Sequence, residues 1–349
     1  MSTCSLAGFL ARSYPAPRGD SKSQCIYRYV NLVIMVIEEI IVKAILLTKH
    51  GGPEVLRYGD APDPIAAPGE VVVDIYAASV NAADYKVRLG SGRSNLTFPH
   101  ILGRDFSGVV SAVGTGVTDL AVGDAVFGVL DQGLEGAYAE KLAIQAAIIA
   151  KKPANLGHAE AAALALTSLT ALWALEDTAQ LKASETILIQ GGAGGVAGFA
   201  IQLAKHIGAA VITTASANNR DYVRSLGADR VIDYNAEDFT RVVSNCDVVF
   251  DTVGGEVQVR SYDVLKPGGR LVWVAPAPEG FKPTRTDVQT LRPNVARDRK
   301  HLERMLELLE AGAVWPPDIT RYPLAEAVAA HRVSESRHLR GKLVFEVRR

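Results

Sequence analysis

The chain has 349 residues, 48% hydrophobic and 21% charged, enough to bury a large core and to form two globular units. The 37 Lys and Arg against 38 Asp and Glu leave a formal net charge of -1, so no global pull toward nucleic acid or an acidic membrane surface is expected. Three cysteines, Cys4, Cys25 and Cys246, exclude both a disulfide framework and a four-thiolate zinc lobe.

Residues 1–34 differ from the rest, with Arg12, Arg18, Lys22 and Arg28 opposed only by Asp20 and no helical or strand periodicity. They resemble an organelle transit peptide, but a start assigned upstream of a true start at Met35 is the favoured explanation. The apolar run Val30–Ile37 stops at Glu38, far short of the ~20 residues a membrane-spanning helix needs. No membrane partner is expected, and the chain reads as a cytoplasmic protein.

Residues 35–160 carry short β-rich runs, Lys43–Leu47, Val71–Ile75, Val109–Val113 and Ala125–Val129, separated by Gly, Pro and Asp turns, as in a barrel-like β unit. Over 161–296 strand and helix alternate. Thr186–Gln190, Ala210–Thr214, Val231–Asp233, Val248–Asp251 and Arg270–Val274 read as strands, with Gly195–Ile207 and Arg220–Leu226 among the helices, which implies a doubly wound parallel sheet. In 297–349, helices are expected at Arg297–Glu310, with Leu302, Met305, Leu306 and Leu309 on one face, and at Ala325–Glu335. A closing strand at Lys342–Val347 should rejoin the first unit. The cleft between the units is the expected ligand site.

The sharpest chemical signal is Gly191-Gly192-Ala193-Gly194-Gly195-Val196-Ala197-Gly198, directly after one strand and opening a helix. Small residues there let the backbone turn tightly and approach a pyrophosphate, which meets the free N–H groups of the helix. The second strand ends Thr213-Thr214-Ala215-Ser216 and lacks the carboxylate that would hold a ribose 2′-hydroxyl. Ser216, Asn218 and Asn219 can donate hydrogen bonds and Arg220 supplies charge to a 2′-phosphate, favouring NADPH over a merely solvated turn.

These residues resemble the zinc-independent quinone oxidoreductase branch of the medium-chain dehydrogenase/reductase superfamily. The resemblance runs from Lys43-Ala44-Ile45 and Ser79-Val80-Asn81-Ala82-Ala83-Asp84, through Phe199–Lys205, Leu226–Asp229 and Asp251-Thr252-Val253-Gly254-Gly255, to Gly341-Lys342. It departs at Ala197, where the family has a third glycine. It implies a GroES-like β-rich catalytic domain, a Rossmann nucleotide-binding domain and a homodimer. A zinc enzyme of the superfamily would carry Cys at Asn81 and Gly-His-Glu at Gly103-Arg104-Asp105. Arg104 cannot bind a cation and Asn81 is a poor zinc ligand, so no metal is expected.

Without a metal to ionise an alcohol, the accessible reaction is hydride transfer from NADPH to an activated electrophile, a quinone, enal or enone. Asn81, Asp84 and Lys86 are the candidate catalytic residues of the first unit. By resemblance Asn81 lines the nicotinamide pocket, Lys86 contacts the cofactor ribose and donates a proton, and Thr170 stands close to the nicotinamide. The resemblance also puts Tyr234 near the adenosine phosphate and Val274-Ala275-Pro276 beneath the nicotinamide, and Val253 joins the cofactor-binding set. Structural roles compete: Asp84 as the tie of a turn, Lys86 as a solvated side chain, Tyr234 as packing. A trans-2-enoyl thioester reductase and a non-catalytic NADPH-binding protein are the alternative functions.

Overall fold

The computed structural model describes residues 41–91, 96–283 and 285–348, so the segment 1–34 lies outside the described residues. Eight strands come first among them: β1 (Ile41–Leu47), β2 (Leu56–Pro62), β3 (Glu70–Val80), β4 (His100–Ile101), β5 (Asp105–Val113), β6 (Ala125–Val129), β7 (Lys141–Gln145) and β8 (Ile149–Lys151). Helix α1 (Ala82–Arg88) follows β3, and α2 (His158–Leu172) follows β8. The chain then alternates through β9 (Thr186–Gln190), α3 (Gly195–Ile207), β10 (Ala210–Ala215), α4 (Arg220–Ser225), β11 (Arg230–Asp233), α5 (Phe239–Val242), β12 (Cys246–Asp251), α6 (Glu256–Ser261), β13 (Leu265–Trp273) and β14 (Gln289–Leu291). The tail adds α7 (Arg299–Glu310), β15 (Ile319–Pro323), α8 (Ala327–Ser336) and β16 (Lys342–Glu346).

Strands β9 to β14 form one parallel sheet in the order β11-β10-β9-β12-β13-β14. Its central residues, Ile187, Leu188, Ile189, Val248, Val249, Phe250, Leu271 and Val272, are buried, as strands covered by helices on both faces require. From β9 the chain moves outward to β10 and β11, then crosses back to β12. The topological switch therefore falls between the carboxyl ends of β9 and β12, where α/β sheets bind ligands. The chain is thus an α/β protein, with a β-rich unit beside a doubly wound parallel sheet.

The first unit is built on a larger sheet, β15-β16-β3-β5-β6-β8, with β7 also on β3 and a separate β2-β1-β4 sheet. The last strand of the chain completes it: β16 pairs antiparallel with β3, Leu343 opposite Val80 and Glu346 opposite Ala77. Helix α7 behaves differently. Leu302, Met305 and Leu308 join the core that α2 and α3 form against the parallel sheet, with Leu306 and Leu309 half-buried at its flank. The buried stripe is thus Leu302, Met305 and Leu308, centred on Met305, with the expected Leu306 and Leu309 at its edge.

Helix α2 lies between the two sheets, with every residue from Ala161 to Leu172 buried. Ala162 and Ala163 pack on Ala77 and Val344, while Leu164, Leu169 and Leu172 join the core beneath the parallel sheet. The backbone also stitches the units together, since the Gly341 N–H donates to Ala193 O at 2.8 Å and Gly341 bridges Gly194.

Candidate active site

The glycine turn begins where β9 ends. Gly191 has φ +76°, which a Cβ would disfavour, and Gly192 leaves no room for a side chain against Thr213. Gly194 is the N-cap of α3, with φ -77° and ψ 159°; no described side chain caps this helix, and its first turn holds no acidic residue. The leading N–H groups of a 13-residue helix, at the positive end of its dipole, therefore stay available to an anion. Around the ideal Cβ position of Gly194 only the Gly191 carbonyl oxygen comes within 4 Å, so the turn is open on that side.

The turn after β12 closes the other edge of the switch point. The Asp251 carboxylate accepts the N–H groups of Val253 at 2.9 Å and Gly254 at 3.1 Å. Gly255 N–H donates to Pro276 O at 2.8 Å, and Gly254 lies against Ala275 and Pro276 with φ +75°. Val253 packs toward Gly191, its Cγ2 3.0 Å from the ideal Cβ position there, and Val274 N–H donates to Asp251 O at 3.0 Å. Val253, Val274, Ala275 and Pro276 are thereby gathered along the edge of the glycine turn.

At the far end Ser216, Asn219, Arg220 and Tyr234 meet beyond β10 and β11. Asn219 Nδ2 donates to Ser216 Oγ at 3.2 Å, and Tyr234 N–H donates to Ala215 O at 3.4 Å. The Tyr234 side chain is half exposed, and Arg220, at the start of α4, has no ion-pair partner among the described residues.

In the first unit β3 delivers Asn81 to the start of α1. Its side chain is held at both ends: Nδ2 donates to Asp105 Oδ1 at 2.8 Å, and Oδ1 accepts from Lys342 Nζ at 2.8 Å. Lys342 Nζ also donates to Val80 O at 2.9 Å, and Ser79 Oγ donates to Asp105 Oδ2 at 2.7 Å. Burial pushes the Asp105 carboxyl up from its ordinary value and the Lys342 ammonium down, and each charge opposes the other's shift.

Asp84 is buried and faces inward. Its Oδ2 accepts the Asn81 N–H at 2.8 Å and the Tyr138 hydroxyl at 2.6 Å, while Arg104 Nε lies 3.4 Å from Oδ1. Burial drives its pKa up to about 6 against the opposing pull of Arg104, Tyr138 and the Asn81 N–H. Arg104 in turn donates to Glu135 Oε1 at 2.9 and 3.1 Å, and His100 Nε2 meets Glu135 Oε2 at 2.8 Å. Lys86 is half-buried on α1. Burial, then the Arg337 charge, lowers its pKa, and Arg337 donates to Val253 O at 2.8 Å.

Thr170 Oγ1 donates to Leu166 O at 2.7 Å, one helical turn from Thr167, whose methyl lies 3.0 Å from the ideal Cβ position of Gly195. Asp105, Ser79, Tyr138 and Lys342 are site residues that sequence reasoning did not select; Lys342 entered only as part of the Gly341-Lys342 pair of the family resemblance, with no role attached.

Residues 67–154 match the alcohol dehydrogenase GroES-like domain, and residues 226–345 match the zinc-binding dehydrogenase domain. A 2-methylene-furan-3-one reductase of Solanum lycopersicum is 36% identical over 318 residues, covering 87% of this chain and 78% of that protein. The chain belongs to the quinone oxidoreductase branch of the medium-chain dehydrogenase/reductase superfamily. Among solved structures, the quinone oxidoreductase from Coxiella burnetii superposes with TM-score 0.81 at 36% identity, covering 88% of this chain and 100% of that one. The Escherichia coli quinone oxidoreductase complexed with NADPH superposes with TM-score 0.79 at 30% identity, covering 87% and 100%.

The name of the second domain raises zinc, and the residues present do not fit it. Asn81 Oδ1 already accepts from an ammonium, Arg104 brings a fixed positive charge, and Asp105 is committed to Asn81 and Ser79. Among the described residues no group of three or more His, Cys, Asp or Glu could hold a metal ion. NADPH does fit: the open glycine turn and the uncapped helix offer free N–H groups to a diphosphate, and Arg220, without an ion-pair partner among the described residues, carries a charge that a 2′-phosphate would need.

Proposed function

We propose that this protein is an NADPH-dependent oxidoreductase that reduces quinones or α,β-unsaturated carbonyl compounds without zinc. The observation that carries this reading is that Gly341 and Lys342 tie an open glycine turn to the Asn81–Asp105 cluster of the first unit. The quinone oxidoreductase relatives and the furanone reductase support it. When bound, NADPH supplies a hydride from C4 of its nicotinamide ring.

The backbone of Gly191, Gly194, Gly195, Val196 and Ala197 would hold the diphosphate, with Ser216, Asn219, Arg220 and Tyr234 at the adenosine end. Val253, Val274, Ala275 and Pro276 would form the wall beneath the nicotinamide, with Thr170 on α2 beside them and Asn81 closing the site from the first unit. Asn81 fixes the acceptor side, its amide immobilised by Asp105 and Lys342. Asp84 acts through Asn81 by holding its backbone N–H, and it does not touch the acceptor.

A two-electron reduction needs one hydride and one proton. For an enone, the hydride enters at the β-carbon and the proton neutralises the enolate that forms. For a quinone, hydride addition is followed by protonation to the hydroquinone. Lys86 is the proton source: burial and Arg337 disfavour its charged form and so ease the loss of its proton. The acceptor enters as a small molecule, and the protein acts as a homodimer.

The test is NADPH oxidation by purified protein against a panel of quinones, enals, enones and enoyl thioesters. Turnover with quinones or enones and none with thioesters is the expected result. Turnover confined to thioesters would replace the assignment with a thioester reductase. Tight NADPH binding without any turnover would leave a binding protein.

A further inference from the structure

We propose that Lys342 is a positioning residue that serves as the resident cation of the acceptor site, locking Asn81 with its head and the glycine turn with its stem. This rests on the reading that Asn81 lines the nicotinamide and acceptor pocket. The backbone before it is pinned, because Gly341 donates to Ala193 O at 2.8 Å and bridges Gly194, with φ +68°. From that anchor the lysine stem runs over the start of α3, where Cδ and Cγ lie 2.7 and 2.9 Å from the ideal Cβ position of Gly195. Gly195 thus has to be glycine because Lys342 fills the space of its side chain. This gives a reason, independent of phosphate contact, for a glycine at that place in the turn.

The head group ends in the other unit, donating to Val80 O at 2.9 Å and to Asn81 Oδ1 at 2.8 Å, and it is fully enclosed. An ammonium donates and never accepts, so it forces the Asn81 oxygen toward itself and the Asn81 amide nitrogen toward Asp105. The two charges share the desolvation cost, since Asp105 is the acidic group that most supports the buried ammonium. Asn81 and Asp105 stand at the positions where a zinc enzyme of this superfamily would have a Cys ligand and the Glu after its His ligand. The positive charge at this place is therefore built into the chain.

Head and stem can be separated by substitution. Lys342→Met keeps the stem over Gly195 and removes the charge. It should leave NADPH affinity, measured by fluorescence titration, within about threefold, and lower kcat with 1,4-benzoquinone or trans-2-hexenal by about tenfold to 100-fold, the loss that a displacement near 1 Å brings. Lys342→Ala removes the stem as well and should weaken NADPH binding by about tenfold beyond Lys342→Met. Lys342→Arg should restore part of the kcat. Because Lys342 acts through Asn81, the double variant Lys342→Met with Asn81→Ala should lose no more than Asn81→Ala alone.

A Lys342→Met protein with wild-type kcat, or a double variant whose losses multiply, would overturn the inference. Equal NADPH affinity in the Met and Ala variants would overturn the part assigned to the stem. Should the Met variant fail to fold, Lys342→Gln, which keeps a donor and loses the charge, is held to the same thresholds. If wild-type protein binds NADPH but reduces no acceptor, the functional assignment fails. The affinity comparison still tests the stem, and the orientation of the Asn81 amide in a crystal structure of Lys342→Met tests the head: an unchanged amide refutes it, a rotated amide supports it.

Discussion

Replacing Tyr138 with Phe removes one atom from the buried network behind Asn81. The ring itself stays packed edge-on against Phe345 at 4.8 Å and His331 at 5.8 Å, so the loss is confined to the hydroxyl that donates to Asp84 Oδ2 at 2.6 Å. That hydrogen bond favours the ionised carboxylate, whose pKa burial has already raised from 3.8 to about 6. In an acid whose folded-state pKa lies above its unfolded value, ionisation costs stability; the cost is absent well below pH 3.8 and fully present above the folded pKa. Tyr138→Phe moves the folded pKa further up and so enlarges that cost.

At pH 8 the variant loses a hydrogen bond to a charged acceptor, about 1.5 to 3 kcal/mol. At pH 5, where folded Asp84 is mostly protonated, it loses a neutral one, about 0.5 to 1.5 kcal/mol. An unfolding entropy of about 2.1 cal/mol/K per residue over this chain makes 2 kcal/mol worth roughly 3 °C in Tm. Differential scanning calorimetry of both proteins at pH 5 and pH 8 reads the difference. A Tm loss that is equal at the two pH values, or larger at pH 5, would refute the assignment of Asp84 as a buried carboxylate held ionised by its donors.

Arg220→Ala should raise the KM for NADPH about tenfold while leaving the KM for NADH nearly unchanged; equal effects on both would remove Arg220 from the 2′-phosphate site. Gly192→Val forces a branched side chain into Thr213 and should cost about 1 to 3 kcal/mol by overpacking. Chemical denaturation reads this loss, and a fully stable variant would contradict the packing at the turn. Lys86→Ala should lower kcat with every acceptor and spare NADPH affinity, and an unaltered kcat across the panel would end its role as proton donor. Dialysis against a strong chelator should leave turnover unchanged, and elemental analysis should find well under one zinc per chain; stoichiometric zinc together with chelator-sensitive turnover would overturn the zinc-free chemistry.

Where a local pattern carries the structure, the sequence shows it. β9 and α3 run over Thr186–Gln190 and Gly195–Ile207, the spans expected from a strand, a glycine turn and an amphipathic helix. Helix α2 is different: it is buried all round from Ala161 to Leu172, so it has no polar face and no 3.6-residue period to announce it. Strand β3 runs on to Val80 through a stretch buried on both faces, where alternation fades, and β13 starts at Leu265 through Pro267 and two glycines that read as a loop. The tail helix begins as a 3-10 turn at Leu324–Glu326 and becomes α-helical only at Ala327.

The site divides in the same way. On the proposed cofactor side the glycine turn is one contiguous motif that spacing shows, whereas Tyr234 and Val274–Pro276 entered only through the family resemblance. The acceptor side is assembled from distant parts of the chain: Lys342 meets Asn81 across 261 positions and Tyr138 meets Asp84 across 54. No local pattern encodes such partners. Only the antiparallel pairing of β16 with β3 brings Lys342 beside Asn81.

NADPH carrying deuterium at either the pro-R or the pro-S position of C4 separates hydride transfer in this cleft from every other fate of the cofactor. After turnover with a quinone or an enal, mass spectrometry of the NADP⁺ should show the label fully lost from one epimer and fully retained in the other. A cofactor held in one orientation against Val253 and Val274–Pro276 can present only one face. Equal loss from both epimers, or no NADP⁺ formed with any acceptor, would contradict the assignment of this cleft as the site of hydride delivery.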